Sequence, residues 1–138
     1  MPAIASTGGL YALMDTSDAW HLPAAQALEA AGGPLVVVAP ALSEAMRLGR
    51  RFLGQEASLC LLDAVLAGEL LFQPLHRQDL PQARRWLQEQ SDLAPSSALA
   101  LAAGRRLGVE GVICTEPASR RLAGLLGFRV LPTAPGES

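Results

Sequence analysis

Lysine is absent from this chain. All eleven basic residues are arginine, a bias that genome composition explains as readily as function, although arginine is also the better bidentate ligand for phosphate. Cysteine is scarce. Cys60 and Cys114 stand in apolar segments without metal-ligand spacing, so both read as reduced core residues, which excludes a disulfide framework and structural zinc. Long apolar runs are missing too: half of the 138 residues are hydrophobic, yet no stretch reaches the length of a membrane span. The start MPAIASTGG lacks the basic region of a secretory signal, so the expectation is a soluble, cytoplasmic protein with no membrane role. The formal net charge is only −2. Whole-molecule charge therefore gives no support for tight nonspecific nucleic-acid binding, although a local basic groove stays open. Neither a phosphate-cradling Gly-rich loop nor a dinucleotide fingerprint occurs. Gly8-Gly9 follows an apolar run but lacks the Lys-Ser/Thr of a P-loop, and reads as a turn.

What is present centres on residues 34–52, PLVVVAPALSEAMRLGRRF. Leu35 to Val38 is an unbroken, mostly β-branched run between Pro34 and Pro40, the pattern of a strand buried on both faces. Leu42, Ala45, Met46, Gly49 and Phe52 then recur at helical spacing, and Pro40 suits the first helical turn. The rest of the chain alternates in the same way. Strands are expected at 3–5, 69–75, 111–115 and 128–131, and helices at 10–14, 19–31, 55–66, 80–90, 96 or 97 to 107, and 118–126. Strand–helix alternation at this length implies one α/β domain over 1–131, with a central parallel sheet of four to five strands covered by helices on both faces, and a C-terminal tail over 132–138.

Any ligand of such a sheet binds beyond the carboxyl ends of its strands. Glu44 falls there, in what reads as the first turn of its helix, and spacing alone leaves two accounts open: a functional carboxylate, or one that complements the helix dipole. Arg47 and Arg51 follow at one-turn intervals, with Arg50 beside them. They suit pairing with Glu44, contact with an RNA backbone, or a solvated polar face.

The order of elements, with STGGLYALMDTSDAWH early, SEAMRLGRRFLG in the middle and ALALAAGRRLGVEGVICTEPASRRLAGLLGFRVL late, resembles a PIN domain, most of all the bacterial VapC-type toxins. The resemblance spans nearly the whole chain and implies a three-layer α/β sandwich. It also implies RNA phosphodiester hydrolysis with Mg²⁺ or Mn²⁺ held by acids at the carboxyl edge of the sheet, because hard cations take oxygen ligands and a metal pair activates water. This chain departs from that pattern. The family's first acid falls on Ser6, followed by Thr7, Gly8, Gly9 and Leu10; the second on Glu44; the third, counted back from Gly108, on Ser97; the fourth on Glu116, where the family more often has Asp.

Two carboxylates thus stand where the resemblance implies four, with serine at the other two places. Serine does not ionise, so tight binding of two metals is not expected, while Glu44 and Glu116 remain candidates for one Mg²⁺ or Mn²⁺. The resemblance implies a metal-dependent endoribonuclease with weak or lost activity. The alternative is a non-catalytic module that needs no cofactor and binds RNA or an antitoxin-like protein partner. A homodimer is expected by the same resemblance, with the helices at 19–31 and 55–66 as candidate surfaces, and a purely structural dimer module is the third reading. Asp15 and Asp18 read as loop and capping residues, Asp92 as a turn aspartate or one that swings toward the site, Trp20 and His21 as a partly buried surface pair or a substrate contact, His76 as isolated, and Arg105, Arg106, Arg120 and Arg121 as dipole and solubility residues.

Overall fold

The computed structural model describes residues 1–133; the expected tail from 134 to 138 lies outside the described residues. In chain order the elements are β1 (Ala3–Ala5), α1 (Thr7–Met14), α2 (His21–Ala31), β2 (Leu35–Val38), α3 (Ala39–Leu53), α4 (Gln55–Leu66), β3 (Leu70–Gln73), a 3-10 turn (Arg77–Asp79), α5 (Leu80–Glu89), α6 (Pro95–Leu107), β4 (Gly111–Ile113), α7 (Pro117–Leu125) and β5 (Arg129–Leu131). The five strands form one parallel sheet in the order β3-β2-β1-β4-β5. The alternation therefore produces the expected architecture.

The middle of the sheet is the three-residue β1, and the longer β2 lies between β1 and β3. Ala3 pairs with both Leu35 and Gly111, and Ile4 with both Val36 and Val112. A strand hydrogen-bonded on both edges and covered on both faces must be apolar throughout, and Ala3, Ile4 and Ala5 are all buried. α1, α2 and α4 pack together on one face, α5 and α6 on the other, and α3 touches α1, α4 and α6. Right-handed crossovers account for the division. The chain winds outward from β1 to β3, then returns across the opposite face to β4.

Several boundaries differ from the sequence reading. Gly8 and Gly9 are not a turn. They lie in the first turn of α1, which Ser6 caps by accepting the Gly9 N–H at 3.1 Å. α3 begins at Ala39, directly after β2, so Glu44 sits in the second turn rather than the first. α6 begins at Pro95, which takes the first helical position where its missing N–H costs nothing. Pro132, placed in the tail, is buried. One core assignment also changes: Cys114 is buried as expected, but Cys60 is exposed, because α4 turns it away from the core and toward a surface groove.

Candidate functional site

β1 and β4 are neighbours from which the chain departs in opposite directions across the sheet. The point beyond their carboxyl ends is the topological switch point, where open parallel sheets leave a crevice. Ser6 immediately follows β1, and Thr115 and Glu116 follow β4. Ser97, in the first turn of α6, reaches the same point from the other face.

These residues converge on one carboxylate. Glu116 Oε1 accepts the Ser6 hydroxyl at 2.7 Å and the Thr115 N–H at 3.2 Å, while Oε2 accepts the Gly8 N–H at 3.0 Å and the Ser97 hydroxyl at 3.2 Å. Two donors per oxygen use the accepting capacity of a carboxylate. Ser6 and Ser97 are almost wholly buried, at 1% and 0% exposure. Such hydroxyls need partners, and Glu116 supplies one to each. The extra methylene of glutamate over aspartate is what gives this side chain its reach.

Gly8 makes the arrangement sterically possible: a Cβ there would lie 2.6 Å from Glu116 Oε1 and 2.7 Å from its Cδ. A Cβ on Gly9 would collide with the carbonyl of Ile113. The two glycines let the first turn of α1 lie directly on the end of β4. Thr7 and Ser96 add a hydroxyl pair, 2.8 Å apart, beside the carboxylate. Sequence reading took Gly8 and Gly9 for a turn and gave no site role to Ser96 or Thr115. The usable signal was Ser-Thr-Gly-Gly directly after an apolar strand, a capping residue followed by a stretch too small to be a core helix face.

Glu44 shares a cleft of about 550 Å³ with Glu116, whose walls include Thr7, Ser43, Ser96 and Leu99. Its carboxylate is held by Arg47, with Nη2 to Oε1 at 2.6 Å and Nε to Oε2 at 3.2 Å. That guanidinium contact lowers the Glu44 carboxyl below its ordinary range. The helix-dipole account of Glu44 weakens here, since dipole effects fade beyond the first turn. Arg51 turns elsewhere, its guanidinium 5.2 Å from the centre of the Phe52 ring.

The remaining candidates have local roles. Asp92 pairs with Arg121 at 3.1 Å, and Asp18 accepts the Trp20 N–H at 2.8 Å. Trp20 stacks under Arg120 at 5.0 Å, Arg120 donates to the Cys114 carbonyl, and His21 Nδ1 lies 2.8 Å from the Ala12 carbonyl. Burial, then the negative charge of Glu116, pushes the Cys114 thiol up to about 12, against the opposing pull of Arg120, so it is no nucleophile at neutral pH. His76 caps the 3-10 turn together with Asp79. Arg106 is more than a dipole residue: it binds the buried Asp79 at 2.8 Å.

A divalent cation at the switch point would need free carboxylate oxygens. Among the described residues no three His, Cys, Asp or Glu side chains gather where a metal could sit. Glu116 is fully engaged by donors and Glu44 by Arg47. The donor set as it stands does not fit a metal pair. One cation held by the two glutamates would require both to release their present partners.

No family model and no curated protein matches this sequence. Solved structures match it in fold. One is VapC20 of Mycobacterium tuberculosis, described as a sarcin-ricin loop cleaving toxin, with a TM-score of 0.78 and 22% identity over 94% of this chain and 99% of that one. Another is the DNA-bound VapBC of Salmonella typhimurium, with a TM-score of 0.64 and 11% identity over 94% of this chain and 96% of that one. No helix among the described residues is long and apolar enough to cross a membrane.

Proposed function

This chain has the VapC-like PIN-domain fold, and on that premise we propose that it is an RNA-binding module in which metal-dependent phosphodiester hydrolysis is weak or lost. The observation that carries this reading is the saturation of Glu116 by two serine hydroxyls and two backbone N–H groups. Hydrogen bonds to a charged group are each worth about 1.5–3 kcal/mol. A cation must therefore displace a set of donors already in place, with half the negative charge that four acids would bring. The serines at positions 6 and 97 thus act as donors to an acid where acids would have been its equals. What remains is a cleft lined with hydroxyls and bordered by Arg47, whose partners of choice are phosphate oxygens rather than metal.

The test is isothermal titration with Mn²⁺, with RNA cleavage and RNA binding measured in the same buffer. The expected outcome is RNA binding without Mn²⁺ saturation or cleavage. Mn²⁺-dependent cleavage that disappears in Glu44→Gln would sink the reading and leave a single-metal endoribonuclease, with Glu44 and Glu116 as ligands. Replacing Ser6→Asp and Ser97→Asp together should raise Mn²⁺ affinity, by restoring charge and freeing Glu116 at once; unchanged affinity would count against this placement of the site.

A second reading has its own observation. A groove of about 490 Å³ between α1, α2 and α4 is lined by Leu10, Leu13, Met14, Leu28 and Leu61, a surface suited to an apolar segment of an antitoxin-like partner. The Salmonella neighbour is a VapBC. A homodimer, also expected from the resemblance, would be separated from this case by sedimentation of the purified chain alone.

A further inference from the structure

A third cavity, of about 430 Å³, adjoins the cleft, with Ser43 and Arg47 of α3 on its wall and Ser43 common to both. Ser43, Arg47 and Arg50 are spaced by four and three residues, so they share one helix face. Ser58 reaches the same space from α4, above Leu42 and Met46 of α3. No carboxylate of the described residues lines it.

Two of these groups lack partners. Ser58 is 7% exposed, and its hydroxyl makes no hydrogen bond among the described residues. Since no fully enclosed side-chain polar atom in the described residues is unsatisfied, that hydroxyl opens onto the cavity. Arg50 likewise has no ion pair, hydrogen bond or ring contact among the described residues. Arg47 contributes a guanidinium whose charge Glu44 already offsets in part. A hydroxyl that opens onto the cavity is free to donate to a ligand, and water would satisfy it without explaining why a free guanidinium and a wall without described acids surround it. An oxyanion accounts for all three, because its oxygens accept from hydroxyls and arginine while its charge is balanced.

We propose that this cavity is a phosphate subsite, with Arg50 as its principal cation, Arg47 shared with the cleft, and Ser58 and Ser43 donating to phosphate oxygens. Phosphate of this chemistry comes from two sources: an internucleotide phosphate of an RNA strand that also enters the cleft, which rests on the RNA-binding reading above, or a free phosphate compound, which does not.

Both are tested on the full chain. In the first arm inorganic phosphate is titrated against chloride at matched ionic strength while backbone amides are followed by NMR. Saturable shifts at Arg50 and Ser58 are expected, abolished by Arg50→Ala and weakened severalfold by Ser58→Ala. In the second arm a labelled single-stranded RNA is bound at several salt concentrations. Arg50→Ala should weaken it roughly 5-fold or more and reduce the salt slope by about 0.7. Arg84→Ala, on the distant α5, should stay within about 2-fold as a control for general charge. Phosphate binding that depends on Arg50, without RNA binding by the unaltered chain, keeps the subsite and removes the RNA reading. RNA binding indifferent to Arg50→Ala and Ser58→Ala, together with no Arg50-dependent phosphate shifts, keeps the RNA reading and overturns the subsite. Phosphate shifts no different from those with chloride overturn it as well.

Discussion

Gly8 is the residue at which one added methyl group would be felt most. In an ordinary helix Gly→Ala stabilises by about 1 kcal/mol, but here the new Cβ meets the Glu116 carboxylate. Gly8→Ala should instead cost about 2 kcal/mol, as Glu116 loses some of its donors. Chemical denaturation measures the cost, and it should shrink when Glu116→Ala is made as well. Tyr11 offers a cleaner probe, because it is the chain's single tyrosine. Its hydroxyl donates to Asp15 Oδ2 at 2.7 Å, and that bond, followed by burial and the charges of Asp15 and Asp18, pushes the phenol up to about 12. A tyrosinate absorbance titration should show one midpoint near that value, falling toward about 10 in Asp15→Asn. A raised folded value means that the stability Tyr11 contributes is full below about pH 10 and fades as pH climbs through the folded midpoint. Asp15 has the opposite sign. The Ser17 hydroxyl first, and Tyr11 second, hold its carboxyl below the ordinary range, so its contribution is present above about pH 4 and lost as pH falls below that.

Among the elements, a clamp ties α6 to the 3-10 turn beyond the core. Arg106, in the last turn of α6, holds both oxygens of Asp79 and also donates to the Pro74 carbonyl. Burial pushes the Asp79 carboxyl up, but the Arg106 hydrogen bonds and the His76 N–H together outweigh it, so the net displacement is downward. Asp79→Ala would leave a half-buried guanidinium without its counter-ion, and should cost about 3 kcal/mol in urea melts at neutral pH. The difference from the unaltered chain should narrow as pH drops below about 4, where an ordinary carboxyl protonates. Nothing in the sequence marks this pair: positions 79 and 106 are joined only when α5 and α6 pack side by side. Elements themselves were far more legible than the ties between them. α3 and α5 show their buried faces in their apolar spacing, whereas α1 hides behind Gly8 and Gly9, whose small size serves the packing of α1 on β4 rather than the helix.

For the molecule as a whole, stability should peak at the centre of the sheet. Ile4 is fully buried on the innermost strand, with Gly104 of α6 lying against it. Ile4→Ala should cost about 3–4 kcal/mol, against about 1–2 kcal/mol for the partly exposed Val130→Ala on the edge strand β5. Backbone amides of β1 should be among the last to exchange with solvent. The fold class was legible because periodicity is a local property: strand runs bounded by proline and glycine alternate with amphipathic stretches, and only a parallel sheet between helices buries both. The sequence, through its resemblance to the VapC-type proteins, also put two serines and two carboxylates at the expected site, Ser6, Glu44, Ser97 and Glu116. It could not decide what those groups do to one another. Tertiary structure decided that both serines donate to Glu116 and that Arg47 holds Glu44. It also turned Arg50, rather than Arg51, toward the cavity that Ser58 lines. The reason is physical: charge and hydrogen-bonding capacity belong to residues, but donor geometry exists only once strands β1 and β4 and the ends of α1 and α6 meet at one edge.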